Sequence, residues 1–325
     1  MQKYAAILIL LLICSCGEGG GNRVRLEGRA QGTMYRITFY GGDSLSLHKS
    51  IDSIFIVIDK SLSLYNDSSV ICRINRNETN SGDYHLLRLM NHAIELAENT
   101  GGKFDFTIGV LAGEWKLAQK TGEFPNPALI DSLLGFTGYR LVSISGKKII
   151  KKLSQVQIDL NAIAQGYTVD MIAEFLNNLG IEDYIIELGG EVKAAGSKPN
   201  GEPWAVGIER PPANDTNIGD AIKVVELKNE SAATSGSFRQ RFKIGGMEYS
   251  HIIDPKTGRP AGNNLLSVTV ISKQCADADA LATAFMAMGA EQSIAYITKY
   301  KGIRAYFTIS IHGGGMEVID KTKSD

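Results

Sequence analysis

The chain has 325 residues, with 34 Lys and Arg against 35 Asp and Glu and a formal net charge of −1. That balance excludes the global basic field of a nucleic-acid binder, and the length allows one large domain or two packed lobes with a sizeable core. No CxxC and no HExxH occurs, so no zinc motif is present.

Met1 to Ser15 reads as a targeting segment set apart from the fold. Lys3 supplies the positive charge, and Ala5 to Ile13 is an apolar core too short for an ordinary spanning helix. Leu12-Ile-Cys-Ser-Cys16, followed by Gly17-Glu-Gly-Gly-Gly-Asn22, resembles a bacterial lipoprotein signal in which Cys16 takes the lipid and Cys14 leaves with the signal. A plain secretory signal cut nearby is the alternative. On this division residues 1–15 are the signal peptide, 16–23 a Gly-rich tether and 24–320 one folded domain. The expected location is the bacterial cell envelope, facing the periplasm, with the body held at a membrane by its N-terminal lipid. Export permits a disulfide between Cys72 and Cys275. Spacing does not say whether they meet, and Cys275, beside an Ala-rich helix, fits a buried free thiol equally well.

Along the mature chain, Val24 to Glu27 and Thr33 to Tyr40 read as strands joined through Gly28-Arg-Ala-Gln-Gly32. Leu47, Ile51, Ile54, Phe55, Ile58 and Leu62 make one apolar stripe, which predicts a helix over 44–62. A polar loop, Ser63 to Ser69, precedes a helix over about 82–99 that stops at Thr100-Gly-Gly102. Ala128 to Leu134 adds a short helix. Strands are expected over 139–144, 148–152 and 156–160, a helix over 163–179, and a buried strand over 184–188. Short strands continue through 192–253, with hairpin-type turns at Pro199-Asn-Gly201 and Gly245-Gly246. A strand over 266–271, helices over 276–289 and near 291–300, and a strand over 303–310 complete the chain. Partly segregated helices and frequent hairpins predict an α+β fold, with mixed, largely antiparallel sheets and packed helices.

Six segments carry the candidate chemistry. In Ala276-Asp-Ala-Asp-Ala-Leu-Ala-Thr-Ala-Phe-Met-Ala-Met-Gly289, Asp279 and Thr283 lie one turn apart on one face of an otherwise apolar helix. A buried carboxylate is costly unless paired, protonated or holding a metal, and a carboxylate with a hydroxyl suits a hard cation such as magnesium. The rival reading makes Asp277 or Asp279 the N-cap, with Thr283 bonding back to a carbonyl. Asp159-Leu-Asn-Ala-Ile-Ala-Gln-Gly-Tyr-Thr-Val-Asp170 runs from strand to helix, where Asp159 can accept from a ligand and the Ala162 carbonyl can face a metal. It is equally a plain connection with Asn161 as N-cap. Thr100 to Gly109 alternates Phe104, Phe106 and Ile108 with Asp105 and Thr107, as a strand would. Glu187-Leu-Gly-Gly-Glu191 and Ala233-Thr-Ser-Gly-Ser237 allow close approach of backbone amides, as ordinary turns also do. His251 stands between a hairpin and the turn Asp254-Pro-Lys-Thr-Gly258, and a lone His is more often structural than catalytic.

In this order, Gly32-Thr33, Leu62-Ser-Leu-Tyr-Asn-Asp-Ser68 through Arg73-Ile-Asn75, Gly101 to Gly109 with Trp115, Asp159 to Asp170, Glu187 to Glu191, Thr234-Ser-Gly236, His251 to Gly258 and Asp279 to Thr283 resemble the ApbE family of FAD:protein FMN transferases, whose members are commonly exported lipoproteins. The resemblance implies magnesium held by the Ala162 carbonyl, Asp279 and Thr283. It implies contacts to FAD from Gly32, Thr33, Tyr65, Lys103, Phe104, Asp105, Asp159, Gln165 and Ile253, with Tyr65 an aromatic face for the isoalloxazine ring, and His251 as the base. Gln31 departs from the Met of many members, and Gln165 from their Lys or Glu. The implied reaction transfers FMN from FAD to a Ser or Thr hydroxyl of an exported acceptor protein and releases AMP. Its rivals are a magnesium-dependent FAD pyrophosphatase, in which water replaces the hydroxyl, and a lipoprotein that binds FAD without chemistry.

Overall fold

The computed structural model describes residues 23–41, 44–210, 221–237, 241–311 and 315–321; the signal, most of the tether and Cys16 lie outside them. The described chain opens as a hairpin of β1 (Arg23–Ala30) and β2 (Thr33–Tyr40). Its two-residue turn sets Gln31 at φ 50° and Gly32 at φ 77°, the left-handed pair that suits the twist of flanking strands. Helices α1 (Ser44–Leu62), α2 (Val70–Asn75) and α3 (Tyr84–Asn99) follow. The Asp83 carboxylate caps α3 by accepting from the Leu86 amide at 2.9 Å. Then come α4 (Gly109–Thr121), α5 (Pro127–Leu134), the small hairpin β3 (Val142–Ser145) and β4 (Lys148–Lys151), and α6 (Asn161–Asn178). Next are β5 (Tyr184–Leu188), β6 (Glu191–Ala195), β7 (Trp204–Glu209), β8 (Ala221–Leu227), β9 (Glu230–Gly236), β10 (Arg241–Ile244), β11 (Met247–Ser250), β12 (Ile253–Asp254), β13 (Arg259–Pro260) and β14 (Leu265–Ser272). Helices α7 (Cys275–Met288) and α8 (Ala290–Lys299) and strands β15 (Arg304–Ile311) and β16 (Gly315–Lys321) finish it.

Eight strands form one sheet in the order β1-β2-β5-β6-β9-β14-β15-β16, antiparallel at every step. Because side chains alternate across a strand, Ile37, Phe39 and Ile186 face one side and pack on Ile51 and Phe55 of α1 and Ile172 and Leu176 of α6. Farther along the same face, Val268, Val270 and Phe307 pack on Leu281 and Phe285 of α7. The β7–β8 hairpin covers part of the other face through Trp204, Ile208 and Leu227. Helices α2 and α3, with Phe104 and Phe106, close over α6 and the alanines 276, 280 and 284 of α7. Helix α7 is therefore buried on nearly all sides, which its small residues permit. No helix among the described residues is long and apolar enough to cross a membrane.

The α+β class and largely antiparallel sheets stand as predicted. Several local expectations do not. Residues 100–109 make turns rather than a strand, and α4 follows directly. Asp105 explains this: it gathers the Thr107 amide at 2.9 Å, the Thr107 hydroxyl at 2.6 Å and the Tyr139 amide at 2.8 Å, curling the segment about one carboxylate. Residues 156–160 form no strand either; their ladder is limited to one bridge, between Ile108 and Gln157. The turn at Pro199 to Gly201 closes through Gly201 N–H to the Lys198 carbonyl at 2.8 Å but joins strands that do not pair with each other. Cys72 and Cys275 are both buried free thiols.

Candidate active site

Helices α6 and α7 cross where neither has room for a side chain. A Cβ on Gly166 would stand 2.4 Å from the Cys275 carbonyl oxygen, so only glycine lets the two main chains touch. Asp170 of α6 accepts from the amides of Cys275 and Ala276, each at 3.0 Å, and from Lys193 Nζ at 2.9 Å. It thereby satisfies the exposed N–H groups at the start of α7, where Gln274 offers no side-chain cap. Asp277 pairs instead with His92 Nε2 at 2.7 Å. The capping reading of Asp277 and Asp279 is thus overturned by a residue from another helix. Asn161 is likewise no N-cap: α6 begins at Asn161, and its amide donates to Asp159 Oδ1 at 2.9 Å.

Asp279 lies in the second turn of α7, 8 % exposed, with Oδ2 accepting the Gly166 N–H at 3.0 Å. Burial pushes its pKa up to about 7, against the pull of that amide. No second hydrogen bond reaches this carboxylate among the described residues. The half-buried Thr283 hydroxyl has none either; it lacks the bond to the carbonyl one turn back that Thr100 and Thr298 make. In a regular helix the Gly166 amide serves the Ala162 carbonyl. That carbonyl keeps a second lone pair at the same crossing, where the Gly166 amide also reaches Asp279. A carboxylate, a hydroxyl and a backbone carbonyl, all oxygen and all with spare capacity, fit a small hard cation that completes its shell with water and phosphate. No group of three or more His, Cys, Asp or Glu suited to a metal exists among the described residues, so any ion here relies on that mixed set.

The neighbouring residue, Gln165, extends the site to the sheet. A Cβ on Gly189, which has φ 67°, would lie 2.9 Å from Thr33 Cγ2 and 3.3 Å from Gln165 Nε2. The β1–β2 turn, α6 and the β5–β6 turn therefore converge, with Gly32 beside Thr33. Gln31 reaches α6 farther along: its Nε2 donates to Thr168 Oγ1 at 3.0 Å, and burial holds the Asp59 carboxyl above the usual range against the pull of Gln31. Its side chain thus braces the hairpin on the helices.

A second cluster joins residues far apart in the chain. Lys103 Nζ donates to Asp254 Oδ2 at 3.0 Å, and Trp115 Nε1–H donates to the Gly258 carbonyl at 2.8 Å. Phe104 is 3 % exposed and packs in the core, and the Asp105 carboxylate is spent on its own loop. Of these three, Lys103 and the main chain are what the loop offers a ligand. Burial raises the Asp105 pKa despite its hydrogen bonds. Half-buried Ile253 pairs with Pro260 in the β12–β13 ladder, and His251 stands exposed at the bend before it.

The third group is Asp159, Tyr65 and a residue that sequence reasoning passed over, Lys116. Asp159 is fixed by its N–H to the Phe106 carbonyl at 2.7 Å, and burial raises its carboxyl while the Lys116 charge lowers it. Tyr65 is 82 % exposed, with Lys116 Nζ 5.8 Å from its ring centroid. Helix α7 is the wall common to the clusters: its alanines share a core with Phe104 and Phe106, and Ala278 and Leu281 share one with Ile252. A cavity of about 500 Å³ lies on the opposite face of the sheet, between Arg25, Arg36, Glu187 and Trp204. It shares Glu187, Gly190 and Thr234 with the motif segments but none of the oxygen donors of α6 and α7, so chemistry rather than volume places the candidate site.

The ApbE family model matches residues 31–307. The chain belongs to the ApbE family. It is 34 % identical over 300 residues to a FAD:protein FMN transferase of Vibrio cholerae, covering 89 % of this chain and 88 % of that protein. It is 33 % identical to the protein of the same name from Chlamydia muridarum, covering 94 % of this chain and 96 % of that one. The apo crystal structure of Pseudomonas stutzeri flavinyl transferase ApbE superimposes with a TM-score of 0.83 at 31 % identity, covering 93 % and 96 % of the two chains. Within this ApbE fold, the Gly166 amide is the site feature least visible in sequence, because a backbone group carries it.

Proposed function

We propose that this ApbE-family chain is an enzyme that transfers FMN from FAD to a Ser or Thr hydroxyl of an acceptor protein, with AMP leaving. The observation that carries the reading is the α6–α7 crossing, where a buried carboxylate and a hydroxyl one turn on keep unused oxygen lone pairs. The relatives' names supply the transferase activity; magnesium, the hydroxyl acceptor and AMP are our extension. Asp279, Thr283 and the Ala162 carbonyl would hold magnesium. When bound, the ion supplies positive charge against the pyrophosphate of FAD as charge builds on the leaving group.

The protein's own groups divide the remaining work. Asp279 must give up the proton that burial favours, and the Gly166 amide keeps its Oδ2 oriented once charged. Tyr65 offers an uncovered ring face to the isoalloxazine, while Thr33, Gln165, Asp159, Lys103 and Ile253 border the rest of the cofactor. His251, exposed at the bend, takes the proton of the incoming hydroxyl. The acceptor oxygen bonds to the phosphorus of the FMN half, the bond to the AMP phosphate breaks, and the proton stays on the imidazole. We also propose an exported lipoprotein with acylated Cys16, which places the enzyme beside exported acceptors. Mass spectrometry of membrane-derived protein tests this; an unmodified chain starting elsewhere removes it.

Incubating the mature protein with FAD, magnesium and a candidate acceptor tests the activity. The expected result is an acceptor heavier by one FMN, equimolar AMP, and no reaction in EDTA. Free FMN without labelling means hydrolysis, and unchanged FAD means binding without chemistry.

A further inference from the structure

Lys116 has no role in the reading above, yet it stands between two of its residues. Its ammonium lies 5.8 Å from the Tyr65 ring centroid, and its charge reaches the Asp159 carboxylate. No carboxylate lies within ion-pair distance of it among the described residues. Its backbone is nevertheless fixed, because the adjacent Trp115 is buried and anchored to the Gly258 carbonyl at 2.8 Å. Tyr65, 82 % exposed, is an aromatic platform whose ring contact among the described residues is the Lys116 ammonium. An exposed cation on a fixed backbone beside an open platform has little to contribute to the fold, since exposed cation–π contacts add only about 0.5–1 kcal/mol.

We propose that Lys116 is a positioning residue for the flavin ring, donating a charge-assisted hydrogen bond to the N1/C2=O edge of an isoalloxazine stacked on Tyr65. This rests on the FAD-dependent reading above. That edge carries two of the ring's acceptor atoms, and a positive charge beside it tunes flavin electronics. A phosphate is the poorer match, because the groups suited to phosphate chemistry lie at the α6–α7 crossing whereas Lys116 faces the platform. Ring recognition would then depend on a stack from Tyr65 and a directed bond from Lys116, which together fix the rotation of the ring in its plane.

The test is equilibrium binding of FAD, riboflavin and ADP, each with magnesium, to wild type, Lys116→Met and Lys116→Arg, with melting temperatures as the fold control. The expected result for Lys116→Met is an affinity loss of roughly tenfold or more for both FAD and riboflavin, the scale of one charged hydrogen bond, with ADP unchanged. Lys116→Arg recovers most of it, and the visible band of bound FAD differs between Met variant and wild type. Equal flavin affinities and spectra in Lys116→Met and wild type overturn the proposal. A loss for ADP as large as that for FAD also overturns it, because the contact would then be to phosphate or adenosine. A wild type that binds no flavin overturns the FAD reading itself, and this inference with it.

Discussion

The α6–α7 crossing and the junction of loops 100–109 and 251–260 both bury charge, but they leave it in opposite states. At the junction the polar groups are met by protein: Asp105 has three donors, Lys103 has Asp254 and the Trp115 indole has a carbonyl. At the crossing, Asp279 has one amide and the Thr283 hydroxyl has no partner among the described residues. A satisfied buried carboxylate is scaffold, whereas one with spare lone pairs carries a desolvation cost that a ligand can offset. The contrast separates the two acids by function, although both are buried Asp residues in segments that resemble family motifs.

Asp279→Ala should break the comparison most visibly if it is wrong. Turnover is expected to fall by about a thousandfold or more, the scale of losing several kcal/mol of charge stabilisation, while the fold persists. In metal-free buffer the sign is fixed by the raised pKa of about 7. The folded protein holds this proton after the unfolded chain has released it near pH 4, so wild type loses stability as pH rises from about 4 to about 7. Asp279→Asn escapes that loss, so its melting temperature should gain on wild type across this window and stay level above it. A gap that shrinks there contradicts the raised pKa, and near-normal turnover in the Ala variant removes the metal assignment.

His251→Ala comes next and probes chemistry apart from binding. FAD and magnesium affinity should stay close to wild type while single-turnover transfer slows by roughly two to four orders of magnitude. Weak binding with a normal rate at saturation would leave His251 as scaffold.

Asp105→Ala sharpens the other half of the contrast. Three donors lose their acceptor, so stability should drop by about 2–3 kcal/mol in chemical denaturation, and saturating FAD and magnesium should restore much of the activity in the folded fraction. Loss of turnover without loss of stability would make Asp105 a ligand contact.

The smallest effect is expected at His92, which ties α3 to Asp277 of α7. Burial opposes its charge, but Asp277, with Glu95 and Asp170 farther off, raises its pKa overall. A raised folded pKa gives stability that is complete below the unfolded value near 6.5 and fades as pH climbs through the folded one. His92→Gln should be less stable than wild type by about 1 kcal/mol or less at pH 6, with the two converging by pH 9. A gap that widens with pH contradicts the pairing.

Where local sequence and tertiary demand agree, the fold was legible. The stripe from Leu47 to Leu62 made α1, and the alanine-rich run from 276 made α7. The alternation of Phe104, Phe106 and Ile108 misled because Asp105 draws an amide from Tyr139, thirty-four residues on. Helix α4 was missed because only Leu111, Trp115 and Ala118 of it are buried, a stripe too thin to stand out between glycines. Of the proposed site, Asp279 and Thr283 stand out in the sequence by spacing and chemistry, and Ala162 as a helix-start position. The Gly166 amide, the cap from Asp170 and the placement of Lys116 beside Tyr65 arise only when separate segments meet.

The main-chain contact of Gly166 with Cys275 has one further consequence, for ion size. At the proposed metal site, a carbonyl of α6 and a carboxylate of α7 that is held by an α6 amide stand on backbones already touching, so the gap between them follows the helix spacing. On the proposed metal reading, an ion wider than that gap would have to part the buried helices, and discrimination between small and large divalent cations would be set by the stiffness of the core.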